Sequence, residues 1–182
     1  IEKDFNNVIY GKDIDLYVNR IHCYNPLTNV TLAKMADDIT EVTNDILPGE
    51  TIDCVAYGCT SGTIAAGYKT IKSKINLAKP DAKVTTPITS TIKALKKLDI
   101  KKISIFTPYT KEINDSVVSY FNNENIIINS LTYFDIASDL DIGKVDENYL
   151  FDILSKINLE DSDALFVSCT ALPVLSIIDK LE

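Results

Sequence analysis

Two of the four cysteines stand in the same local sequence, each directly before a threonine. Cys59-Thr60 and Cys169-Thr170 each follow a short apolar run typical of a buried strand. In α/β folds with parallel strands, ligands bind at the carboxyl ends of the strands, where helix amino termini point. A helix amino terminus carries a partial positive charge and stabilises a thiolate. The pattern therefore predicts two activated thiols, each beside a hydroxyl donor.

The other sulfur-bearing positions carry weaker signals. Cys54 lies inside a predicted strand and is expected in the core. Cys23 follows the only histidine, His22, but no further ligands fall at metal-site spacing, so no metal site is predicted. Because cysteine often packs as a small hydrophobe, a packing role for Cys59 and Cys169 stays open. No CxxC pair is present, and reduced thiols in a cytoplasmic protein are expected.

The residue types absent near these motifs narrow the chemistry. No histidine accompanies either Cys-Thr pair, which disfavours a Cys-His dyad, and no glycine-rich phosphate loop is present. Arg20 is the only arginine, so a bidentate clamp on a carboxylate is not expected. An anion would have to bind to backbone N–H groups and hydroxyls, and the candidates are Thr60, Ser61, Tyr109, Thr110 and Thr170. Each hydroxyl could instead cap a helix, and Tyr109 could be a surface aromatic.

The elements that must position these residues alternate along the chain. Short apolar runs predict strands at 52–57, 84–86, 103–107, 126–128 and 164–167, the first of them buried on both faces. Apolar residues at helical spacing predict helices between them, including single helices over 32–46, 64–75 and 174–181. This order predicts an α/β fold with mainly parallel, doubly wound sheets. Repetition of Cys-Thr and Thr-Pro after strands in both halves predicts two pseudo-symmetric lobes, 1–88 and 89–182.

Composition and charge restrict the partners. The net charge of −8 would repel nucleic acid and anionic membrane surfaces, so neither is expected as a partner. No apolar run approaches the roughly 18–20 residues that span a bilayer. A small-molecule partner is the remaining expectation.

Four segments, in order, resemble the maleate cis-trans isomerase / arylmalonate decarboxylase branch of the aspartate/glutamate racemase superfamily. They are YGCTSGT at 57–63, TPIT at 86–89, TPY at 107–109 and SCT at 168–170. The resemblance implies two flavodoxin-like lobes with the active site between them, no cofactor or metal, and a homodimer or larger homo-oligomer. It also implies that Cys59 is the nucleophilic or first acid/base cysteine and Cys169 the second. The decarboxylases of this branch keep only the late cysteine, so an isomerase or racemase is expected here.

The resemblance further assigns the residues around the thiols. Thr60 and Ser61 correspond to residues that cradle a substrate carboxylate, Tyr109 to the active-site tyrosine, and Thr170 is grouped with them as substrate-binding. An early strand and a Pro-Ser-x-Asn loop of the family are expected upstream of the first residue. A later asparagine of the maleate isomerases corresponds here to Asp139, whose carboxylate is unfavourable beside a dicarboxylate.

Three functional hypotheses follow. In the first, one thiol adds to the double bond of a small cis-dicarboxylate such as maleate and the other moves a proton. In the second, two thiols racemise an amino acid or other carboxylic acid, as in aspartate/glutamate racemases, or act in a relative associated with ectoine degradation. In the third, the chain is a small-ligand binding module whose cysteines only pack.

Overall fold

Five parallel strands form two separate sheets in the computed structural model, which describes residues 1–182. The first sheet pairs β1 with β2, and the second has the order β4-β3-β5. The strands are β1 (Cys54–Ala56), β2 (Lys83–Thr85), β3 (Lys102–Thr107), β4 (Ile127–Tyr133) and β5 (Ala164–Val167). An α/β fold with parallel sheets is therefore confirmed, whereas the lobe boundary near residue 88 stays a prediction.

Helices connect the strands, and polar caps fix where several of them begin. Thr28 and Thr86 each form a capping box with the threonine three residues later, so helices begin directly after them. The helices are α1 (Glu2–Ile9), α2 (Asn29–Lys34), a 3₁₀ turn (Met35–Asp38), α3 (Ile39–Asn44), α4 (Thr60–Ala66), α5 (Tyr68–Ala78), α6 (Pro87–Lys97), α7 (Lys111–Asn123), α8 (Asp139–Ile142), α9 (Glu147–Leu154) and α10 (Ile178–Leu181). None combines the length and the hydropathy needed to cross a membrane.

The larger apolar core surrounds β3, the middle strand of the second sheet. Ile103, Ile105 and Phe106 on this strand are completely buried, because β4 and β5 flank it and helices cover it. A smaller core packs Tyr57, Ile71 and Val84 around the first sheet. The residues that follow β1, β3 and β5 form the site described below.

The first strand differs from its prediction. Cys54 and Ala56 are exposed, so β1 is not buried on both faces and Cys54 does not belong to the core. The reason is that β1 pairs only with β2, in a sheet of two strands. An apolar run shows that a segment can be buried but not which partner covers it.

Three predicted single helices are also divided or shortened. The 32–46 helix is interrupted by the 3₁₀ turn, and the 64–75 helix breaks at Gly67, whose φ of +81° suits glycine. The last predicted helix shrinks to α10, so residues 168–177 form turns and irregular loop. The loop that carries Cys169 therefore does not lead directly into a helix.

Candidate active site

Cys59 caps the amino terminus of α4 with its sulfur. The chain leaves β1, passes through Tyr57 and Gly58, and places Cys59 in an extended conformation before Thr60. The Gly62 N–H donates to Cys59 Sγ at 3.2 Å, which is the bond that a capping oxygen usually accepts. The predicted placement of Cys59 between a strand and a helix is confirmed.

Cys169 is held in a different way. It follows β5 with a φ of +87°, a conformation that costs free energy in a residue with a Cβ. The Ser168 N–H donates to the Phe106 carbonyl at 2.8 Å, which anchors the loop to β3. No helix starts here, so the prediction of a helix amino terminus at Cys169 is wrong. The backbone of Ala171 acts on the sulfur instead and contributes to lowering its pKa.

One hydrogen bond joins the two Cys-Thr motifs directly. Thr170 Oγ1 donates to the Gly58 carbonyl at 2.6 Å, across 112 positions of sequence. A threonine hydroxyl has one proton, and this bond uses it. The bond supports a positioning role for Thr170 between the two thiol loops, and its predicted contact with substrate stays a prediction.

The Tyr109 side chain lies between the two thiols. Its side chain is only 1% exposed, so the alternative of a surface aromatic is wrong. Ser168 Oγ donates to Tyr109 Oη at 3.2 Å, which leaves the tyrosine proton free for another acceptor. Ser61 contributes to lowering the pKa of Tyr109, and Tyr109 to lowering that of Cys169, so both side chains lie near this hydroxyl. Burial raises the pKa of Tyr109 well above its usual value, so its hydroxyl keeps its proton.

A buried asparagine fixes the backbone of this tyrosine. Asn114 Nδ2 donates to the Tyr109 carbonyl at 2.9 Å, while Asn114 Oδ1 accepts from Thr107 Oγ1 at 2.6 Å. Thr107 Oγ1 in turn accepts from the Tyr109 N–H at 3.1 Å. These three bonds tie the end of β3 to α7, and they determine where the tyrosine ring enters the site.

Ser61 lies beside the first thiol and near the Tyr109 hydroxyl. Its Oγ lies 3.8 Å from Cys59 Sγ. Thr60, the first residue of α4, is buried beside it. The structure therefore brings Cys59, Ser61, Tyr109 and Cys169 together, as the sequence predicted.

Electrostatics differ from the predicted activation of the thiols. Burial raises the pKa of Cys59, and this effect outweighs the hydrogen bonds from Gly62 and Ser61 that lower it. Burial likewise raises the pKa of Cys169 to about 12, although Ala171 and Tyr109 act to lower it. The Asp139 carboxylate raises the pKa of both thiols further. Both sulfurs are therefore protonated in the resting protein.

Some residues of this site were not predicted from the local sequence. Ser168 and Asn114 hold Tyr109 and were missed, because the hydrogen bond of a side chain leaves no periodic pattern. Cys23 lies near enough for the charge of Cys59 to affect it, and burial and Asp139 contribute to raising its pKa to about 11. No group of three or more His, Cys, Asp or Glu side chains is placed to hold a metal ion.

Comparisons with known proteins agree with this geometry. The arylmalonate decarboxylase family model matches residues 33–182. Maleate isomerase of Geobacillus stearothermophilus is 28% identical over 139 residues, which cover 71% of this chain and 55% of that protein. Maleate isomerase of Alcaligenes faecalis is 24% identical over 136 residues, covering 70% and 54%. The chain thus spans about half the length of the curated relatives it matches.

Solved structures show the same fold. The maleate isomerase Iso of Pseudomonas putida S16 superposes with a TM-score of 0.83 at 20% identity, covering 97% of this chain and 74% of that one. A cysteine-to-serine variant of the Nocardia farcinica maleate cis-trans isomerase, which holds a covalently bound succinylcysteine intermediate, gives a TM-score of 0.83 at 17% identity, covering 94% and 72%. The branch that the four sequence segments indicate is confirmed by the family model, whose match includes both Cys-Thr motifs: the chain belongs to the arylmalonate decarboxylase family.

Proposed function

We propose that the chain is a cofactor-independent cis-trans isomerase of a small unsaturated carboxylic acid, similar to maleate isomerase, and that Cys59 and Cys169 perform the reaction. The observation that carries the proposal is that two cysteines 110 positions apart lie in one site: Thr170, beside Cys169, donates to the carbonyl of Gly58, beside Cys59, at 2.6 Å, and both thiols contribute to raising the pKa of Tyr109. The Nocardia relative supports an addition to cysteine, since its trapped intermediate is a succinylcysteine.

In the proposed reaction the Cys59 thiol, which is protonated at rest, first releases its proton to water and then acts as the nucleophile. Its thiolate forms a C–S bond with one alkene carbon, and the π electrons of the double bond take the proton of Cys169 at the other carbon. Rotation about the resulting single bond exchanges the cis and trans arrangements. The Cys169 thiolate then removes the same proton, the double bond forms again, and the C–S bond breaks to release the Cys59 thiolate. No electrons enter or leave the cycle, so no redox partner is required.

Neutral donors would bind the substrate carboxylate. Ser61 and Tyr109 present buried hydroxyls beside the thiols, and the raised pKa of Tyr109 keeps it a donor at all working pH values. Thr60 lies next to them at the start of α4. Hydrogen bonds from uncharged groups gain strength in a site with little water, so a cationic clamp is not essential.

Cys59→Ala and Cys169→Ala test the proposal, with Cys54→Ala as the matched control because Cys54 is exposed and outside the site. We expect both site variants to lose conversion of maleate to fumarate, followed by proton NMR, and to keep the unfolding midpoint of the parent within a few degrees. The control variant should convert maleate at the parent rate. Full activity in either site variant would rule out the two-thiol reaction.

A racemase is the second candidate, and Asp139 is the observation that favours it. The Asp139 carboxylate acts on both thiols through its charge, so a substrate with one carboxylate and an ammonium group meets less repulsion than a dicarboxylate. Incubation of amino acids in D₂O distinguishes the two reactions. Racemisation introduces deuterium at the α-carbon and leaves no adduct on Cys59, whereas addition gives an adduct that mass spectrometry detects.

A further inference from the structure

The Tyr57 hydroxyl is a buried polar group with no partner. The side chain is 8% exposed, and its Oη is the one buried side-chain nitrogen or oxygen of the structure that makes no hydrogen bond. Buried polar groups are nearly always paired, and an unpaired one lowers stability. A hydroxyl retained at such a cost indicates an acceptor that appears only in another state of the protein.

The Tyr57 hydroxyl and the sulfur of Cys59 both lie against Gly62. A Cβ placed on Gly62 would lie 2.9 Å from Tyr57 Oη and 2.9 Å from Cys59 Sγ, so both atoms border the same small space. This crowding explains why position 62 holds a glycine. The ring of Tyr57 is fixed by the smaller core, against which Cys59 also packs. Its hydroxyl therefore stays beside the sulfur.

The chemistry of the sulfur explains why no bond exists at rest. A protonated thiol is a weak acceptor, and Cys59 is protonated because burial raises its pKa. A thiolate is a strong acceptor, and in a buried site it needs donors to offset the lost hydration. Gly62 N–H already supplies one such bond. Burial also raises the pKa of Tyr57, so its proton remains available.

We propose that Tyr57 is a further catalytic residue whose hydroxyl donates a hydrogen bond to Cys59 Sγ when this sulfur ionises. The role rests on the proposed function, in which the Cys59 thiolate is the nucleophile. Tyr57 would stabilise the thiolate before addition and again after the C–S bond breaks. A purely structural Tyr57 would contribute only its ring to the core.

Tyr57→Phe removes the hydroxyl and keeps the ring. Tyr68→Phe is the matched control, because Tyr68 Oη donates to the Val84 carbonyl at 3.0 Å in the same part of the fold. The readout is the rate of iodoacetamide alkylation of Cys59 as a function of pH, resolved by peptide mass spectrometry. Only the thiolate reacts, so the midpoint of this profile reports the pKa of Cys59.

We expect Tyr57→Phe to raise the midpoint of the Cys59 alkylation profile by about one pH unit. At a pH well below the midpoint, this shift makes the thiolate fraction about tenfold smaller. The urea midpoint of Tyr57→Phe should equal or exceed that of the parent, because an unpaired hydroxyl is removed. Tyr68→Phe should unfold at lower urea and leave the Cys59 profile unchanged. An unchanged profile in Tyr57→Phe overturns the inference. So does a lower urea midpoint, since it would mean that the hydroxyl is already paired at rest.

The two proposals fail separately. If Cys59→Ala abolishes turnover and Tyr57→Phe leaves the alkylation profile unchanged, only the assignment of Tyr57 is lost. If Cys59→Ala keeps turnover, the proposed reaction is lost, and the contact between Tyr57 and the thiolate no longer has a catalytic role.

Discussion

The hydrogen bond from Thr170 to the Gly58 carbonyl can be removed without changing the shape of the side chain. Valine replaces the hydroxyl of threonine by a methyl group of similar size. Serine is the complementary variant, since it keeps the hydroxyl and loses the methyl. The pair therefore separates the effect of the 2.6 Å hydrogen bond from the effect of packing.

The expected loss of stability is modest. A hydrogen bond contributes about 0.5–1.5 kcal/mol net, and a buried acceptor left unpaired costs about 1–3 kcal/mol. Thr170 and Gly58 are both only half-buried, so water can partly replace the lost donor. We expect Thr170→Val to lower the free energy of unfolding by about 1–2 kcal/mol. Thr170→Ser should lose about 0.8 kcal/mol or less, the value of one buried methyl group.

The expected loss of activity is larger, because this bond joins the loops of the two thiols. Cys169 is held at a φ of +87°, a conformation that costs about 1–3 kcal/mol and relaxes once its support is removed. A shift of 1 Å in a reacting group can reduce the rate by about 100-fold. We expect Thr170→Val to reduce turnover at least about tenfold and Thr170→Ser to retain most of it.

Turnover of maleate and urea unfolding of the same preparations provide the measurement. A lower turnover number at an unchanged Michaelis constant would show that the bond positions the thiols and does not bind substrate. Equal losses in the valine and serine variants would refute the reasoning, because packing alone would then explain them. Parent-like turnover in Thr170→Val would refute it as well.

Two more predictions concern the surroundings of Tyr109 and the second thiol. Asn114→Ala should lower the free energy of unfolding by about 2–4 kcal/mol in urea, because it leaves Thr107 and Tyr109 with unpaired buried groups. Asn123→Ala is the control, since Asn123 is exposed at the end of α7, and it should change the free energy of unfolding by less than about 0.5 kcal/mol. Since the pKa of Cys169 rises from 9.0 to about 12 on folding, the unfolded chain loses this proton first, and stability should fall as pH rises above about 9. Cys169→Ser should reduce this alkaline loss in pH-dependent thermal melts.

Much of the fold followed from local pattern. The apolar runs of β3 and β5 were predicted within one residue of their observed bounds, because these strands lie in the larger core and end where polar residues begin. The exposure of β1 could not be predicted from its own residues. It depends on how many strands its sheet contains, which is a property of the whole chain.

The site was predictable as a set of residues but not as a set of bonds. Repetition of Cys-Thr after buried strands predicted that Cys59 and Cys169 meet, and they do. The partner of Thr170 lies 112 positions away, and no local pattern indicates it. The sign of the thiol pKa shift was also missed. A cap position favours a thiolate, yet the sequence does not show how deeply the sulfur is buried, and burial is the larger effect here.

Burial of the thiols makes their reactivity depend on the groups around them. In a site with low local polarity an uncompensated thiolate is unfavourable, but each donor directed at the sulfur has more effect than it would in water. Gly62 and Ser61 act to lower the pKa of Cys59, and Ala171 and Tyr109 act to lower that of Cys169. Cys54, in contrast, is exposed. Removal of a single donor should therefore change the chemistry of a site thiol more than it changes the stability of the fold.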